Sequence, residues 1–333
     1  RLWLNGQEQT FDSPRIINVL QRFREEVKKS GATGDIYSWN LHICSENNFP
    51  TAAGLASSAA GYACLVYTLA TLYGLQDTLE LSSIARVGSG SACRSIYGGF
   101  VQWEAGKHPS GSDSLAVQLA PSSHWPELEM LILVVSDDRK KTSSTGGMER
   151  SVKTSTLIDF RAKQCVPERV EKMRKAIQER DFDTFADITM KDSNQFHAIA
   201  LDTFPPCFYL NDVSRDIIDL VHRFNAASGK TKLAYTFDAG PNACLYLLRQ
   251  DIPQVLNLVK RAFPSDKNSS PDYLKGLSMA EEPLPEPLAK EMRLEAIGQN
   301  LLKYIIHTQV GDGPKILPES ESLLGATGLP KMA

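Results

Sequence analysis

The sequence feature that most constrains the fold is a run without charged residues from Thr51 to Gln76. It follows residues 41–44, Leu-His-Ile-Cys, whose alternation predicts a half-buried strand, and its small and apolar side chains predict a buried helix. The predicted order is strand, loop of glycine, alanine and serine, then helix. Such a loop lets a ligand approach the backbone, and free N–H groups at the helix start favour phosphate. Ser57 and Ser58 would add hydroxyl donors, or a ligand for a magnesium ion held by the phosphates.

Two other interpretations of this run remain open on these residues alone. The run lacks the Gly-Lys-Ser/Thr of a Walker loop and the Gly-x-Gly-x-x-Gly of a dinucleotide-binding fold. It can therefore be a helix that uses alanine and glycine only to pack closely on a sheet. A membrane span is a further alternative, although serine, threonine and tyrosine interrupt the run and the rest of the chain is polar.

The composition is that of an ordinary globular protein, with 42% hydrophobic and 23% charged residues. A length of 333 residues predicts two domains or one large one. The net charge of -3 argues against a nucleic-acid binder that acts through bulk positive charge, but leaves room for a local basic pocket around a phosphorylated small molecule. The six scattered cysteines indicate reduced thiols of a cytosolic protein. The six histidines show no zinc-ligand spacing, so we expect no zinc site.

A second candidate site is the turn at residues 88–95, Gly-Ser-Gly-Ser-Ala-Cys-Arg-Ser, between a predicted helix at 79–87 and a predicted strand at 96–103. Ser89, Ser91 and Arg94 could hold a carboxylate or phosphate there, because a guanidinium offers a bidentate fork to either anion. The alternative is a helix C-cap whose serines form only local hydrogen bonds.

A third candidate is Asp238, at the mouth of a Gly-Pro turn between two predicted strands at 232–237 and 244–248. The aspartate could be a simple turn former. It could also be a carboxylate held at a strand end to take a proton.

The remaining pattern predicts an α+β chain of two domains. Residues 12–14, Asp-Ser-Pro, predict the start of a helix that runs to about Ser30, and Arg15 lies off its apolar face as a solvated arginine by default. The apolar residues 130–135 predict a buried strand, and we place the domain boundary just before it, giving domains 1–127 and 128–333.

Several further expectations concern the second half of the chain. Met148 is expected to open a helix after the small polar residues 143–147, and further helices are expected at 168–180 and 182–190. His197 has no obvious partner in sequence and is expected to be structural. The tail from Gly311 is expected to be weakly structured.

Three stretches together resemble the mevalonate diphosphate decarboxylase family, within the superfamily of small-molecule kinases that includes galactokinase, homoserine kinase and mevalonate kinase. They are residues 49–60, 88–95 and 235–242. The first alone would indicate only the superfamily, whereas the Ser-Gly-Ser-Ala-Cys-Arg and Phe-Asp-Ala-Gly-Pro-Asn runs are specific to the decarboxylase. Since residues 3–6, 192–197, 201–206 and 304–313 also match, the resemblance spans nearly the whole chain.

The resemblance implies a two-domain α+β fold, with helices packed on mostly antiparallel sheets and the active site in the inter-domain cleft. It implies that ATP, with Mg2+, phosphorylates the tertiary hydroxyl of diphosphomevalonate. Phosphate and carbon dioxide then leave to give isopentenyl diphosphate, a step of the mevalonate pathway to isoprenoids and sterols. A cytoplasmic homodimer without nucleic-acid or membrane partners is expected. The alternatives are a kinase of the same superfamily that stops at the phosphoester, and a nucleotide-binding form without turnover.

The resemblance also implies roles for individual residues. Asp238 matches the catalytic aspartate placed against the tertiary hydroxyl, and Arg94 matches the arginine that holds the substrate carboxylate. The matched substrate-binding positions are Arg15, Ser89, Gly90, Ser91, Ala92, Cys93, Arg94 and Thr145. The matched positions on the ATP phosphate loop are Gly54, Ala56, Ser57 and Ser58, of which Ser58 is a weak magnesium ligand through the nucleotide.

The chain departs from the family pattern at its beginning. The family carries an N-terminal strand with a Lys-Tyr-Trp-Gly-Lys run that borders the substrate diphosphate, and the printed sequence contains no such run. Residues 1–6 instead read as a strand running into a turn, so we expect the chain to start inside a domain. Without the cationic ligands of that strand, we expect this chain expressed alone to be poorly active.

Overall fold

The computed structural model describes residues 1–31, 36–51, 54–138 and 141–331. The chain divides into two compact units. The first comprises Arg1–Pro50, Ala56–His124 and Gly311–Ala333, and the second comprises Thr51–Leu55 and Trp125–Val310. The loop segment Thr51–Leu55 therefore belongs to the second unit although the residues on either side of it belong to the first, and the C-terminal segment from Gly311 returns to the first unit.

The first unit opens with a small sheet. Strands β1 (Leu2–Leu4), β2 (Gln7–Gln9) and β3 (Ile43–Ser45) lie in the order β2-β1-β3, with β1 antiparallel to β2 and parallel to β3. Asn5 and Gly6, with φ of 48° and 74°, make the turn between β1 and β2, as two-residue hairpin loops require. The predicted opening strand and turn are confirmed.

Helices form the core of the first unit. They are α1 (Pro14–Lys29), α2 (Ser57–Tyr73), α3 (Thr78–Gly88) and α4 (Ala92–Ser95), with 3-10 turns at Ile36–Ser38 and Ser122–His124. The predicted helices at 14–30 and 79–87 are confirmed as α1 and α3, although the Ser13 side chain makes no capping hydrogen bond. The uncharged run forms α2, which contacts α1, α3 and α4 and is therefore apolar on most of its circumference. Ala59, Ala63 and Val66 are among its buried residues.

No described helix combines the length and apolar composition that crossing a bilayer requires.

The Gly74 C-cap adopts the left-handed conformation with φ of 73° and ends α2 at Tyr73.

The strand predicted at 96–103 begins four residues later than expected. Residues 96–99 instead form a turn that follows the short helix α4, and strand β4 (Phe100–Trp103) pairs antiparallel with β5 (Ala116–Ala120). The cause is the glycine pair before it: Gly99 has φ of 76°, and a Cβ on Gly98 would lie 2.3 Å from the backbone of Asp312. The chain must turn at these glycines before it can extend.

The tail from Gly311 contains one 3-10 turn (Glu319–Glu321) and one isolated bridge between Leu324 and Pro330. It is nevertheless fixed at its start, because the Gly99 N–H donates to the Gly311 carbonyl oxygen at 2.8 Å. The sparse regular structure was predicted, but the attachment was not.

The second unit is built on a five-stranded sheet in the order β7-β8-β6-β10-β9. Its strands are β6 (Leu128–Val134), β7 (Leu233–Phe237), β8 (Ala243–Leu248), β9 (Leu274–Gly276) and β10 (Tyr304–Gln309). Every neighbouring pair is antiparallel except β9 with β10. The apolar run at 130–135 is the central strand β6, as predicted, and β7 lies at one edge.

Helices of the second unit bury their apolar faces in a core with this sheet. They are α5 (Ser144–Thr154), α6 (Ile158–Phe160), α7 (Val166–Glu179), α8 (Phe182–Asp202), α9 (Asp212–Ser228), α10 (Ile252–Ala262) and α11 (Glu286–Glu291), with a π-helical stretch at Arg161–Cys165 and a 3-10 turn at Arg249–Asp251. Core side chains include Leu131, Ile217, Phe224, Leu245 and Val259, all at most 1% exposed.

Two predicted helix bounds were wrong. Helix α5 begins at Ser144 rather than Met148, because the Ser143 hydroxyl accepts from the Gly146 N–H at 3.0 Å and caps it. Helix α8 continues to Asp202 rather than ending at Met190. Its polar residues after Met190 remain helical because they have tertiary partners: the Asp192 carboxylate, for example, accepts hydrogen bonds from both Arg161 and Arg169.

Candidate active site

In the second unit, residues 238–242 form the turn between β7 and β8, which we call the Asp238 turn. The Gly240 N–H donates to the Asp238 carbonyl oxygen at 2.7 Å. At the far end, the fully buried Asn242 accepts from the Val135 and Ser136 N–H groups at 2.8 and 3.0 Å. The side of the turn that leads into β8 is thus tied to the end of the central strand β6.

The other side of the Asp238 turn is tied to helix α8. The Phe237 N–H donates to the Ser193 hydroxyl at 3.1 Å. The Nε2 atom of His197 lies 3.2 Å from the Phe237 carbonyl oxygen. Both backbone groups of the residue before Asp238 therefore have side-chain partners.

Gly54 supports the same turn from a remote part of the sequence. It is buried, its φ is 79°, and an added Cβ would lie 2.9 Å from the Cα and N atoms of Gly240. Backbone packs directly on backbone here. The structure therefore brings the small-residue loop and the aspartate turn, two of the three stretches that carry the family resemblance, into contact within the second unit.

The Asp238 carboxylate itself is exposed. Nearby, burial raises the pKa of Tyr209 to about 12, and the charge of Asp238 contributes in the same direction. A Cβ on Gly147 would lie 2.0 Å from the Tyr209 hydroxyl, so that the ring end occupies a notch in helix α5. The first turn of this helix carries Thr145, which is half-buried. Asp238, Tyr209 and the start of α5 thus belong to one region of the second unit.

In the first unit, the start of α2 meets the turn after α3. Ala56 is the N-cap residue, with φ of 55°, and it supplies no capping side chain. The Ser58 and Ser89 hydroxyl oxygens lie 3.2 Å apart. A helix start whose N-cap side chain does not bond its N–H groups is suited to an anion. The second of the three stretches is thereby placed beside the first turn of α2.

Arg94 is half-buried on α4 and its guanidinium carbon lies 5.8 Å from the ring centroid of Trp103, within cation–π range. A Cβ on Gly90 would lie 2.6 Å from the same ring. Trp103 therefore fills the space beside Gly90 and supports Arg94. No described residue forms a hydrogen bond or ion pair with the Arg94 guanidinium, so its donors remain available to an anion.

The other predicted substrate positions are distributed as follows. Ser91 is the half-buried N-cap residue of α4, whereas Ala92 and Cys93 are fully buried. A ligand contact by Ala92 or Cys93 would therefore have to use backbone groups. Arg15 is half-buried in the first turn of α1, in the first unit, while Thr145 belongs to the second. Ser57, the first residue of α2, is half-buried.

Sequence reasoning missed three side chains of these regions. Trp103 was counted only as a strand residue, Tyr209 was not singled out, and His197 was expected to be structural without a partner. No signal in the sequence identifies the two rings. Trp103 lies against Gly90 and Tyr209 lies against Gly147 only in the folded chain. Within the described ranges, no group of three or more histidine, cysteine, aspartate or glutamate side chains is arranged to hold a metal ion.

Two family models match the chain. One, described as the diphosphomevalonate decarboxylase-like N-terminal domain, matches residues 1–116, and the other, described as the mevalonate 5-diphosphate decarboxylase C-terminal domain, matches residues 130–317. The chain belongs to the diphosphomevalonate decarboxylase family. The predicted enzyme class and the α+β fold with mostly antiparallel sheets are confirmed with this membership.

Individual members of the diphosphomevalonate decarboxylase family cover almost all of the chain. The enzyme of Rattus norvegicus is 52% identical over 338 residues, which are 99% of this chain and 83% of that protein. The structure of the Trypanosoma brucei enzyme matches with a TM-score of 0.83 and 37% identity, covering 97% of this chain and 84% of that one. A third structure, described as MDDEF in complex with MVAPP, AMPPCP and magnesium, has a TM-score of 0.67 and 32% identity, covering 78% and 76%.

Gly54→Ala should destabilise the protein by about 1–3 kcal/mol and lower turnover, because the left-handed φ strains alanine and its Cβ would push Gly240 away. Thermal unfolding and steady-state rates measure the two effects. Gly61→Ala is the matched control, since a Cβ there meets nothing within 4 Å in α2, and alanine should be neutral or stabilising by up to about 1 kcal/mol. Equal behaviour of the two variants would contradict the packing argument.

Acidification from about pH 7.5 to about pH 5.5 should destabilise the protein partly through His197. Burial lowers the pKa of His197, against the opposing effects of the Phe237 carbonyl and Asp238, whereas the unfolded chain protonates near the ordinary value of about 6.5. Below about pH 6.5 the unfolded state therefore binds more protons than the folded state. The free energy of unfolding decreases for this reason as the pH falls from about 7.5 to about 5.5. Thermal unfolding of His197→Gln should show a weaker pH dependence; an unchanged one would disprove the assignment.

Proposed function

We propose that this protein catalyses the ATP-dependent decarboxylation of diphosphomevalonate to isopentenyl diphosphate, with release of ADP, phosphate and carbon dioxide. In this proposal the tertiary hydroxyl is phosphorylated first. The phosphate then leaves, the carboxylate is lost as carbon dioxide, and the electron pair of the broken carbon–carbon bond forms the double bond of the product. The observation that carries it is the fixed Asp238 turn, whose carboxylate is exposed while Gly54 of the small-residue loop packs against its backbone. Membership in the diphosphomevalonate decarboxylase family supports the choice of substrate.

Asp238 is proposed to act at the tertiary hydroxyl. A tertiary alcohol is a poor nucleophile, so a fixed carboxylate that takes its proton should speed phosphoryl transfer by roughly a hundredfold or more. When the phosphate departs, positive charge develops on the tertiary carbon. The same carboxylate, negative and already in place, stabilises that charge.

Arg94 is proposed to orient the substrate carboxylate, with Ser89 and Ser91 as hydroxyl partners on the same turn. A guanidinium offers two parallel donors to a carboxylate, and here no described residue occupies those donors. A tight ion pair would oppose loss of the carboxylate as neutral carbon dioxide. The main contribution of Arg94 is therefore orientation, an effect that can be worth several kcal/mol. Arg15 and Thr145 are proposed substrate contacts on the resemblance alone.

The start of α2 fits a nucleotide phosphate. Ala56 adopts a left-handed conformation without a capping side chain, and the Ser58 hydroxyl lies at the helix start, so this hydroxyl and the positive end of the helix can face an anion. When bound, ATP supplies the phosphoryl group and Mg2+ neutralises charge on the transferred group. Ser58 would be a protein ligand near the metal. The MVAPP, AMPPCP and magnesium complex of a relative supports this assignment.

Two wider expectations are also part of the proposal. The resemblance favours a homodimer and a cytoplasmic location. Exposed apolar side chains on α5 and after α8, among them Val152 at 70%, Phe204 at 76% and Phe208 at 76%, are compatible with a protein partner at this surface of the second unit.

Asp238→Asn should lower kcat by several orders of magnitude while ATP and diphosphomevalonate still bind, because the amide keeps the shape but accepts no proton. Rates are followed as ADP and carbon dioxide formed, relative to the unsubstituted chain, and binding by calorimetry. Asp272→Asn is the control, since Asp272 is an exposed carboxylate on another turn of the second unit. Unimpaired turnover would remove Asp238 from the mechanism; release of a stable phosphoester without carbon dioxide by the unsubstituted chain would instead indicate a kinase.

Arg94→Lys should lower kcat/KM for diphosphomevalonate by about a hundredfold and leave the KM for ATP within about twofold, because lysine keeps the charge but loses the fork. Arg24→Lys provides a surface control in the same unit, where the exposed arginine donates a hydrogen bond to the Trp39 carbonyl oxygen at 3.4 Å. A mild effect of Arg94→Lys would mean that charge balance alone is needed at that position.

A further inference from the structure

Strand β7 lies at the edge of the five-stranded sheet, and among the described residues β8 is its only strand neighbour. Edge strands leave one row of backbone N–H and carbonyl groups without a strand partner. At Phe237, the last residue of β7, helix α8 supplies those partners instead. Ser193 accepts from the N–H at 3.1 Å, and His197 lies 3.2 Å from the carbonyl oxygen.

Ser193 and His197 are four residues apart on α8 and thus lie on one face of the helix, one turn apart. This spacing lets one rigid element hold both backbone groups of a single residue. Both side chains are buried, at 4% and 7% exposure. The His197 ring is further held among aromatic rings, with centroid distances of 4.9 Å to Phe196, 6.3 Å to Phe237 and 6.4 Å to Tyr209.

The protonation state of His197 follows from its surroundings. A backbone carbonyl oxygen only accepts hydrogen bonds, so Nε2 must carry a proton. Burial lowers the pKa of the imidazole, which keeps it neutral near pH 7. His197 therefore acts as a neutral Nε2–H donor to the Phe237 carbonyl, in the peptide unit that leads directly into Asp238.

The Asp238 side chain has no comparable anchor of its own. Among the described residues, none forms a hydrogen bond or an ion pair with its carboxylate. The backbone of the turn fixes the Cα and Cβ atoms of Asp238, and these determine the region that its carboxylate can reach. On the upstream side, the side-chain bonds that fix this backbone are those from Ser193 and His197.

We propose that Ser193 and His197 are positioning residues, which fix the backbone before Asp238 and so aim its carboxylate at the substrate hydroxyl. This inference rests on the proposed function, in which Asp238 takes the hydroxyl proton. A displacement of about 1 Å at a reacting group can lower the rate by about a hundredfold. Loss of either hydrogen bond should therefore reduce kcat more than it changes substrate affinity.

The test compares His197→Leu, which fills similar volume without a donor, with His197→Gln, whose side-chain amide can donate from nearly the Nε2 position. His197→Leu and Ser193→Ala should each lower kcat between about tenfold and about a hundredfold, with both KM values within about threefold. His197→Gln should recover most of the rate lost in His197→Leu. Equal rates in the leucine and glutamine variants would overturn the proposed role of the hydrogen bond.

Thr203→Val is the matched control for a buried hydroxyl at the end of the same helix. Thr203 is 1% exposed and bonds the Ile199 carbonyl oxygen and Ser151, not β7. Its loss should lower the unfolding temperature about as much as Ser193→Ala does, while kcat stays within about twofold. If kcat falls equally in both variants, the effect is general destabilisation and the positioning role is wrong.

A double-variant series separates failure of this inference from failure of the proposed function. If His197 acts through Asp238, adding His197→Leu to Asp238→Asn should leave the residual rate unchanged within about twofold, because the positioned group is already absent. A further drop of tenfold or more would show that His197 acts by another route. Full activity of Asp238→Asn alone would instead reject the proposed function, whatever the His197 variants do.

Discussion

The position of the Asp238 turn depends on one close contact, the packing of the Gly54 backbone on the backbone of Gly240. No side chain fits between the two segments, and the conformation of Gly54 is one that other residues adopt only with strain. The contact links a loop before α2 with a turn after β7, far apart in sequence. Because the turn is also fixed by Asn242 on one side and by α8 on the other, its aspartate is attached to a backbone that is held from three directions.

The helices and strands that could be predicted from the sequence are those with a clear local pattern of apolar residues. Helix α1 matches expectation within a few residues because its apolar residues recur on one face, and the central strand β6 matches because its apolar run is continuous. Helix α8 was predicted to end at Met190, before the polar run that begins at Asp192, whereas it continues to Asp202. The partners of these polar residues are two arginines and the edge strand β7. Because these partners lie elsewhere in the chain, the local sequence does not predict the contacts.

In the candidate site, too, features with a local sequence pattern could be predicted and features that depend on remote partners could not. Its acidic turn and its small-residue loop could be located from residue types alone, since glycine, proline and aspartate have strong local meanings. The sequence could not predict which bulky side chains pack against Gly90 and Gly147. The Trp103 ring lies beside Gly90, and the Tyr209 hydroxyl lies in the notch of Gly147; such pairings depend on how elements pack, and periodicity contains no information about them.

The way the chain alternates between its two units limits how it can be divided. Five residues, Thr51–Leu55, leave the first unit to join the second, and Gly311–Ala333 returns to the first at the end. A fragment that starts at Trp125 would therefore contain the aspartate turn without the glycine that supports it. A single cut before Trp125 would leave neither unit whole. A second unit that folds on its own would therefore require Thr51–Leu55 to be grafted onto it or supplied as a separate peptide.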